Sequence, residues 1–96
     1  MSDTTPNVTN NTAAGRFEIR TASGIAVLNY RPSGDALDLV HTEVPSSLAG
    51  HGYGTALVEA ALAHARREHL RVIPTCPFVK AYLARHPDAA ALVARP

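Results

Sequence analysis

Cysteine and lysine each occur once in this chain of 96 residues, and long apolar runs are missing. With Cys76 alone no intrachain disulfide can form, so the thiol is expected to be free and the compartment reducing, which makes the cytoplasm the expected location. No stretch approaches the roughly 18 to 20 consecutive apolar residues that cross a bilayer, and the N-terminus lacks the basic and apolar regions of a secretory signal. A membrane is therefore not an expected partner, and the Asn-x-Thr triplets at Asn7 and Asn10 read as plain polar sequence rather than glycosylation acceptors. Formal net charge is +1, without a basic stripe interleaved with aromatics, which gives no reason to expect nucleic acid. The histidines lack ligand spacing: His64 and His69 fall on different faces of one helix rather than on an i, i+4 stripe, so no metal is expected. Apart from Lys80 the basic residues are all arginine and alanine is abundant, which suits a GC-rich, bacterial coding sequence.

What is present supports a small core. Apolar residues make up 46% of the chain, and its length suffices for one domain and not for two. Residues 1–14 are Thr, Asn, Ser and Pro with little to bury and are expected to form a disordered tail, leaving 15–96 as the domain. Polar and apolar residues alternate over 16–21, with Phe17 and Ile19 on one face. A turn at 22–24 leads to a second strand over 25–30, and Pro32 to Asp35 turns the chain into a third, 36–44. Strict alternation along that third strand puts Leu37, Leu39, His41 and Glu43 on one face and Asp38, Val40, Thr42 and Val44 on the other. Pro45 should end its pairing.

Leu57, Val58, Ala61, Leu62 and Ala65 recur at helical spacing, predicting a long amphipathic helix over 52–69. The apolar run 70–74 then returns as a strand parallel to the third, which makes 36–74 a βαβ crossover. Pro77 stands where a helix would begin, and a second, shorter helix is expected to run on to 85 before His86-Pro87 breaks it. A last short turn follows within 89–94. The expected fold is α/β: a mixed, mostly antiparallel sheet of four or so strands with a crossover around one long helix.

Between the third strand and the long helix lies Gly50-His51-Gly52-Tyr53-Gly54-Thr55, a loop able to offer several backbone N–H groups to an anion. A Walker loop would need lysine after the last glycine, where Thr55-Ala56 stands. A dinucleotide fingerprint would need a third glycine at position 55 and an acidic residue where the next strand ends in Pro74-Thr75-Cys76. Neither fits.

The order strand, proline, Gly-x-Gly-x-Gly, helix, short strand, Tyr-bearing helix resembles the acyl-CoA pyrophosphate region of the GNAT acetyltransferase superfamily. Its pattern is Arg or Gln, two residues, Gly, one residue, then Gly or Ala. Gly52 and Gly54 match the last two positions, whereas position 49 is Ala. With His41-Thr42-Glu43-Val44-Pro45, Pro74-Thr75-Cys76-Pro77-Phe78-Val79 and Tyr82-Leu83-Ala84-Arg85-His86-Pro87, the chain resembles the small, single-domain, cysteine-containing GNAT-like proteins over residues 17 to 88. The resemblance implies a reduced GNAT fold, acetyl-CoA as co-substrate without a metal, and acetyl transfer to an amine of a small molecule or peptide by a monomer or weak homodimer. It also implies a backbone contact of Val44 with the pantetheine arm, and the pyrophosphate on Gly50, His51, Gly52, Tyr53, Gly54 and Thr55. A non-catalytic CoA-binding or protein-interaction module is the alternative.

Three residues are candidates for the chemistry. Cys76, just before Pro77, sits at a helix N-terminus, where partial positive charge favours a thiolate nucleophile; equally it reads as a small buried apolar residue. Histidine is the side chain type suited to proton transfer near neutral pH, which makes His41 the candidate base. By resemblance Tyr82 would protonate the leaving thiolate, while as a plain residue it is an amphipathic core side chain. His86 reads as a cap for the second helix.

Overall fold

The half-buried alternation seen in the sequence forms a five-stranded sheet in strict chain order, with α-helical elements packed on one face. In a computed structural model that describes residues 7–94, the strands are β1 (Thr9–Asn11), β2 (Arg16–Thr21), β3 (Gly24–Ser33), β4 (Ala36–Glu43) and β5 (Arg71–Ile73). The first four pair antiparallel, and β5 joins β4 in parallel over three residue pairs, from Ala36↔Arg71 to Asp38↔Ile73. A 3-10 turn (Ser46–Leu48) and α1 (Tyr53–Arg67) form the crossover, and α2 (Pro77–Arg85) and α3 (Pro87–Ala90) follow β5. No helix among the described residues is long and apolar enough to cross a membrane.

The sheet face of Phe17, Ile19, Ala26, Leu28, Leu37 and Leu39 is buried with Leu57, Val58, Ala61, Leu62 and Ala65 of α1 and Val79 and Leu83 of α2. The helical spacing legible in the sequence is thus the stripe that faces the sheet, and each large side chain so buried contributes about 1.5–3 kcal/mol. Helix α1 ends in a Schellman-type closure, with Leu70 N–H donating to Ala65 O at 2.8 Å and His69 N–H to Arg66 O at 3.3 Å. His69 takes the left-handed conformation there (φ 58°), which glycine would adopt without strain.

Two sequence expectations are corrected. The polar tail expected through residue 14 contains the edge strand β1, held by polar contacts that no hydrophobic pattern announces. Tyr30 donates its hydroxyl to Asn10 Oδ1 at 2.6 Å, Asn11 Nδ2 donates to Glu18 Oε2 at 3.0 Å, and Ala14 N–H donates to Asn11 Oδ1 at 3.1 Å. Residues 1–6 of that tail lie outside the described residues.

The second correction concerns β4. Asn29 pairs with His41 but the next residue, Tyr30, pairs with Leu39, so Val40 is an extra residue, a β-bulge. Beyond it the alternation is out of phase with that of Leu37 and Leu39. Thr42, opposite the buried Leu28, faces the core side, while His41 and Glu43 are exposed on the other face. Strict counting by twos had placed His41 and Glu43 with Leu37 and Leu39.

That other face carries no helix. It holds Glu18, only 1% exposed, between Arg16 (Nε at 2.6 Å) and Arg20 (Nη2 at 3.1 Å). At the far side of the sheet the segment around Leu92 to Ala94 pairs with β5: Val72 N–H donates to Leu92 O and Ala94 N–H to Val72 O, both at 2.8 Å.

Candidate functional site

Pro45 ends the ladder of β4, and the chain passes through the 3-10 turn into two left-handed glycines, Gly50 (φ 83°) and Gly52 (φ 76°). Gly52 is the N-cap of α1 and supplies no side-chain cap, and the first turn carries no acidic residue. The first helical bond is Ala56 N–H to Gly52 O at 3.0 Å, and the N–H groups of residues 50–55 find no intramolecular acceptor among the described residues. Unsatisfied donors and the positive end of a 15-residue helix therefore converge on one turn, an arrangement that suits a polyanion.

The turn opens into a cavity of about 300 Å³ whose wall includes Val44, Leu48, Ala49, Gly50, Gly52, Tyr53, Gly54, Thr55 and Phe78. Of the residues expected to hold a cofactor, Val44, Gly50, Gly52, Tyr53, Gly54 and Thr55 come together here. His51 is exposed outside the wall, its ring 5.7 Å from that of Tyr53. Two further hollows of about 330 and 350 Å³ lie elsewhere, one near the end of α1 by His69 and one by the Val40 bulge, and neither adjoins a free helix start.

Cys76 is the N-cap of α2, with Pro77 at the first helical position. Its N–H donates to Leu39 O at 2.9 Å, which ties the loop after β5 to the bulge of β4. The side chain is 2% exposed, and its sulfur lies 3.4 Å from Thr42 Oγ1. Burial pushes the thiol pKa up, but the Thr42 hydroxyl and the N–H groups of Val79, Phe78 and Thr42 outweigh it, and the thiol is held below its ordinary value. The core thus includes Cys76, with a thiol more acidic than an ordinary cysteine.

Tyr82 is buried on α2 and donates its hydroxyl to Glu59 Oε2 of α1 at 3.2 Å. Burial, then the Glu59 carboxylate, raises its pKa above the usual phenol value. Its ring stacks on His86 at 3.9 Å, and His86 Nδ1–H donates to Tyr82 O at 2.8 Å, closing the end of α2. His41 stands on the opposite sheet face from Thr42 and Cys76. Thr42 and Phe78 escaped the sequence reading: the bulge decides which way Thr42 points, and Phe78 matters only through a contact with Gly54, 24 positions away in the chain.

The sequence profile of the GCN5-related N-acetyltransferases matches residues 16–92, most of the chain. The chain belongs to the GCN5-related N-acetyltransferase family. Its curated relatives include Protein NATD1 of chicken (Gallus gallus) and of human (Homo sapiens), each 38% identical over 63 residues, 65% of this chain. That match spans 57% of the chicken protein and 56% of the human one, so the chain corresponds to a little over half of these relatives. Among solved structures, the solution structure of a GCN5-like protein from Staphylococcus aureus superposes with a TM-score of 0.73 and 25% identity, covering all of this chain and 93% of that one. The α/β GNAT-like fold with its mixed, mostly antiparallel sheet is the one the sequence resemblance implied. Acetyl-CoA is the acyl donor general to the GCN5-related N-acetyltransferase family.

Proposed function

We propose that this GCN5-related protein binds acetyl-CoA in the cavity between β4, the 50–55 turn and the start of α2, and transfers the acetyl group to an amine of a small molecule or peptide. The carrying observation is the set of unclaimed N–H groups at 50–55 opening into that cavity, with Val44 at its other side. The fit is further supported by the space at Gly50 and Gly52, where a Cβ would meet nothing within 4 Å, so a ligand can lie against the bare backbone. Ala49 gives up the polar side chain common at that position in the family and leaves the pyrophosphate to backbone donors. Calorimetric titration with acetyl-CoA tests the reading: micromolar binding supports it, and no heat at millimolar ligand rejects it.

Two routes for the acyl group follow from the candidate residues, of which Cys76 and Tyr82 lie outside the cavity wall. In the first, a neutral amine attacks the thioester directly and water takes its proton, since His41 faces away. In the second, the Cys76 thiolate takes the acetyl group and passes it to the amine. The second route uses the depressed thiol pKa and requires the cleft to open at Cys76, which is 2% exposed. In either, the departing thiolate of CoA needs a proton, and Tyr82 can supply it only by releasing Glu59. Intact-mass measurement after incubation with acetyl-CoA separates the routes. A trappable acetyl adduct that disappears in Cys76→Ala identifies the covalent one, and full activity of Cys76→Ala identifies the direct one.

The burial of Cys76 and the engagement of Tyr82 by Glu59 also favour a second reading, a CoA-binding module without turnover. Release of free CoA in the presence of an amine panel distinguishes it from an enzyme.

A further inference from the structure

Phe78 is the large apolar side chain left most open among the described residues, 40% exposed, and it forms one wall of the cavity. It stands in the first turn of α2, two residues after Cys76, where Pro77 fixes the start of the helix. Its ring lies over the first turn of α1: a Cβ added at Gly54 would sit 2.9 Å from Cζ and 3.1 Å from Cε2. Unlike Gly50 and Gly52, Gly54 has no positive φ, so what a side chain there would meet is the ring above it, which would have to move, and not a backbone restriction. An aromatic ring that is packed on one side and open to a cavity on the other loses water-exposed apolar area when a chain-like ligand covers it.

From this arrangement we infer that Phe78, seated on Gly54, is the specificity-determining wall for the linear, amide- and methylene-bearing arm that joins the polyphosphate of the ligand to its thioester. The inference rests on the acetyl-CoA reading and divides the site into two parts. Backbone donors of the 50–55 turn take the anion without regard to what is attached to it. The ring of Phe78 reads the attachment.

The test is a titration of the full chain with CoA and with ADP, which keeps a pyrophosphate and lacks the arm, followed by amide NMR so that millimolar affinities are measurable. Phe78→Ala is expected to weaken CoA binding by about tenfold, the scale of one aromatic contact, and to leave ADP binding unchanged. Phe78→Tyr is expected to retain CoA affinity. Gly54→Ala, which drives the ring from its seat, should weaken CoA in the wild-type background and have no further effect in Phe78→Ala, a non-additive pair. Unchanged CoA affinity in Phe78→Ala, equal loss of CoA and ADP, or additive Gly54→Ala and Phe78→Ala effects would each overturn the inference. If ADP binds neither protein, the CoA comparison with the Gly54 cycle decides alone. Absence of CoA binding to the wild type removes the acetyl-CoA reading itself, whereas binding that ignores Phe78 removes only the role of the ring.

Discussion

Thr42 Oγ1 lies 3.4 Å from Cys76 Sγ, although plain alternation along β4 would have turned Thr42 to the far side of the sheet. The extra residue Val40 makes the contact, and the bond from Cys76 N–H to Leu39 O holds the two segments in register. A hydroxyl, a cysteine and a helix start meet where β4 and β5 have ceased to pair.

Thr42→Val removes the side-chain donor that offsets the burial of Cys76, so the thiol pKa rises, while Thr42→Ser keeps it close to wild type. Because the chain has a single cysteine, selective carbon labelling at its Cβ gives one NMR signal whose pH titration reads this directly. An unmoved midpoint in Thr42→Val would show that the backbone N–H groups at the start of α2 alone set the thiol.

His69→Gly is expected to raise stability by about 0.5–1 kcal/mol, since the closure of α1 needs a left-handed residue and glycine pays no Cβ penalty there. The urea midpoint measures it. His69 lies at the opposite end of α1 from the 50–55 turn, so CoA affinity should stay the same.

Gly52→Ala and Gly50→Ala meet no steric obstacle, but each must hold alanine at a positive φ, a cost of roughly 1–2 kcal/mol. Thermal unfolding should show that loss, and CoA titration should show weaker binding as the turn relaxes and its donors diverge. Stability lost with CoA affinity retained would separate the turn from the anion site.

Glu18 is held below the usual carboxylate range chiefly by the hydrogen bond from Arg16, then by Asn11, against the opposing effect of burial. Its folded pKa is the lower one, so the stabilisation is complete above the unfolded carboxylate pKa and is lost as pH falls through the folded value. Denaturant midpoints of the wild type should therefore fall toward acid, with a flatter profile and a lower neutral-pH midpoint in Glu18→Gln.

Leu57→Ala should cost about 2–5 kcal/mol, because Leu57 is fully buried where α1 meets the sheet. Chemical denaturation monitored by circular dichroism checks it.

The sequence carried the parts of the fold that repeat. Leu57, Val58, Ala61, Leu62 and Ala65 mark α1 by period alone, and Phe17 with Ile19 marks the inner face of β2. Gly50 and Gly52 were legible as a turn, since glycine is the residue at ease at the positive φ both adopt. What stayed hidden depends on a single event or a distant contact. One inserted residue, Val40, reverses the facing of everything from His41 to Val44, and it resembles its neighbours in type. Strand β1 is pinned by Asn10 and Asn11 through partners on β2 and β3, and polar residues that bury hydrogen bonds look like solvent-facing ones until the partner is known. Gly54 looked like a third member of the turn, yet it has no positive φ and its near neighbour is the ring of Phe78.

The pairing of Val72 with the segment around Val93 decides which backbone groups this edge of the sheet leaves open. Val72 presents its N–H and C=O away from β4, and Leu92 and Ala94 take both. A chain shortened before Leu92 would leave those groups as an open template beside a fully buried residue, the kind of edge that recruits another strand. The segment around Leu92 to Ala94 thus closes backbone groups that a further strand could otherwise extend, on the far side of the sheet from β1.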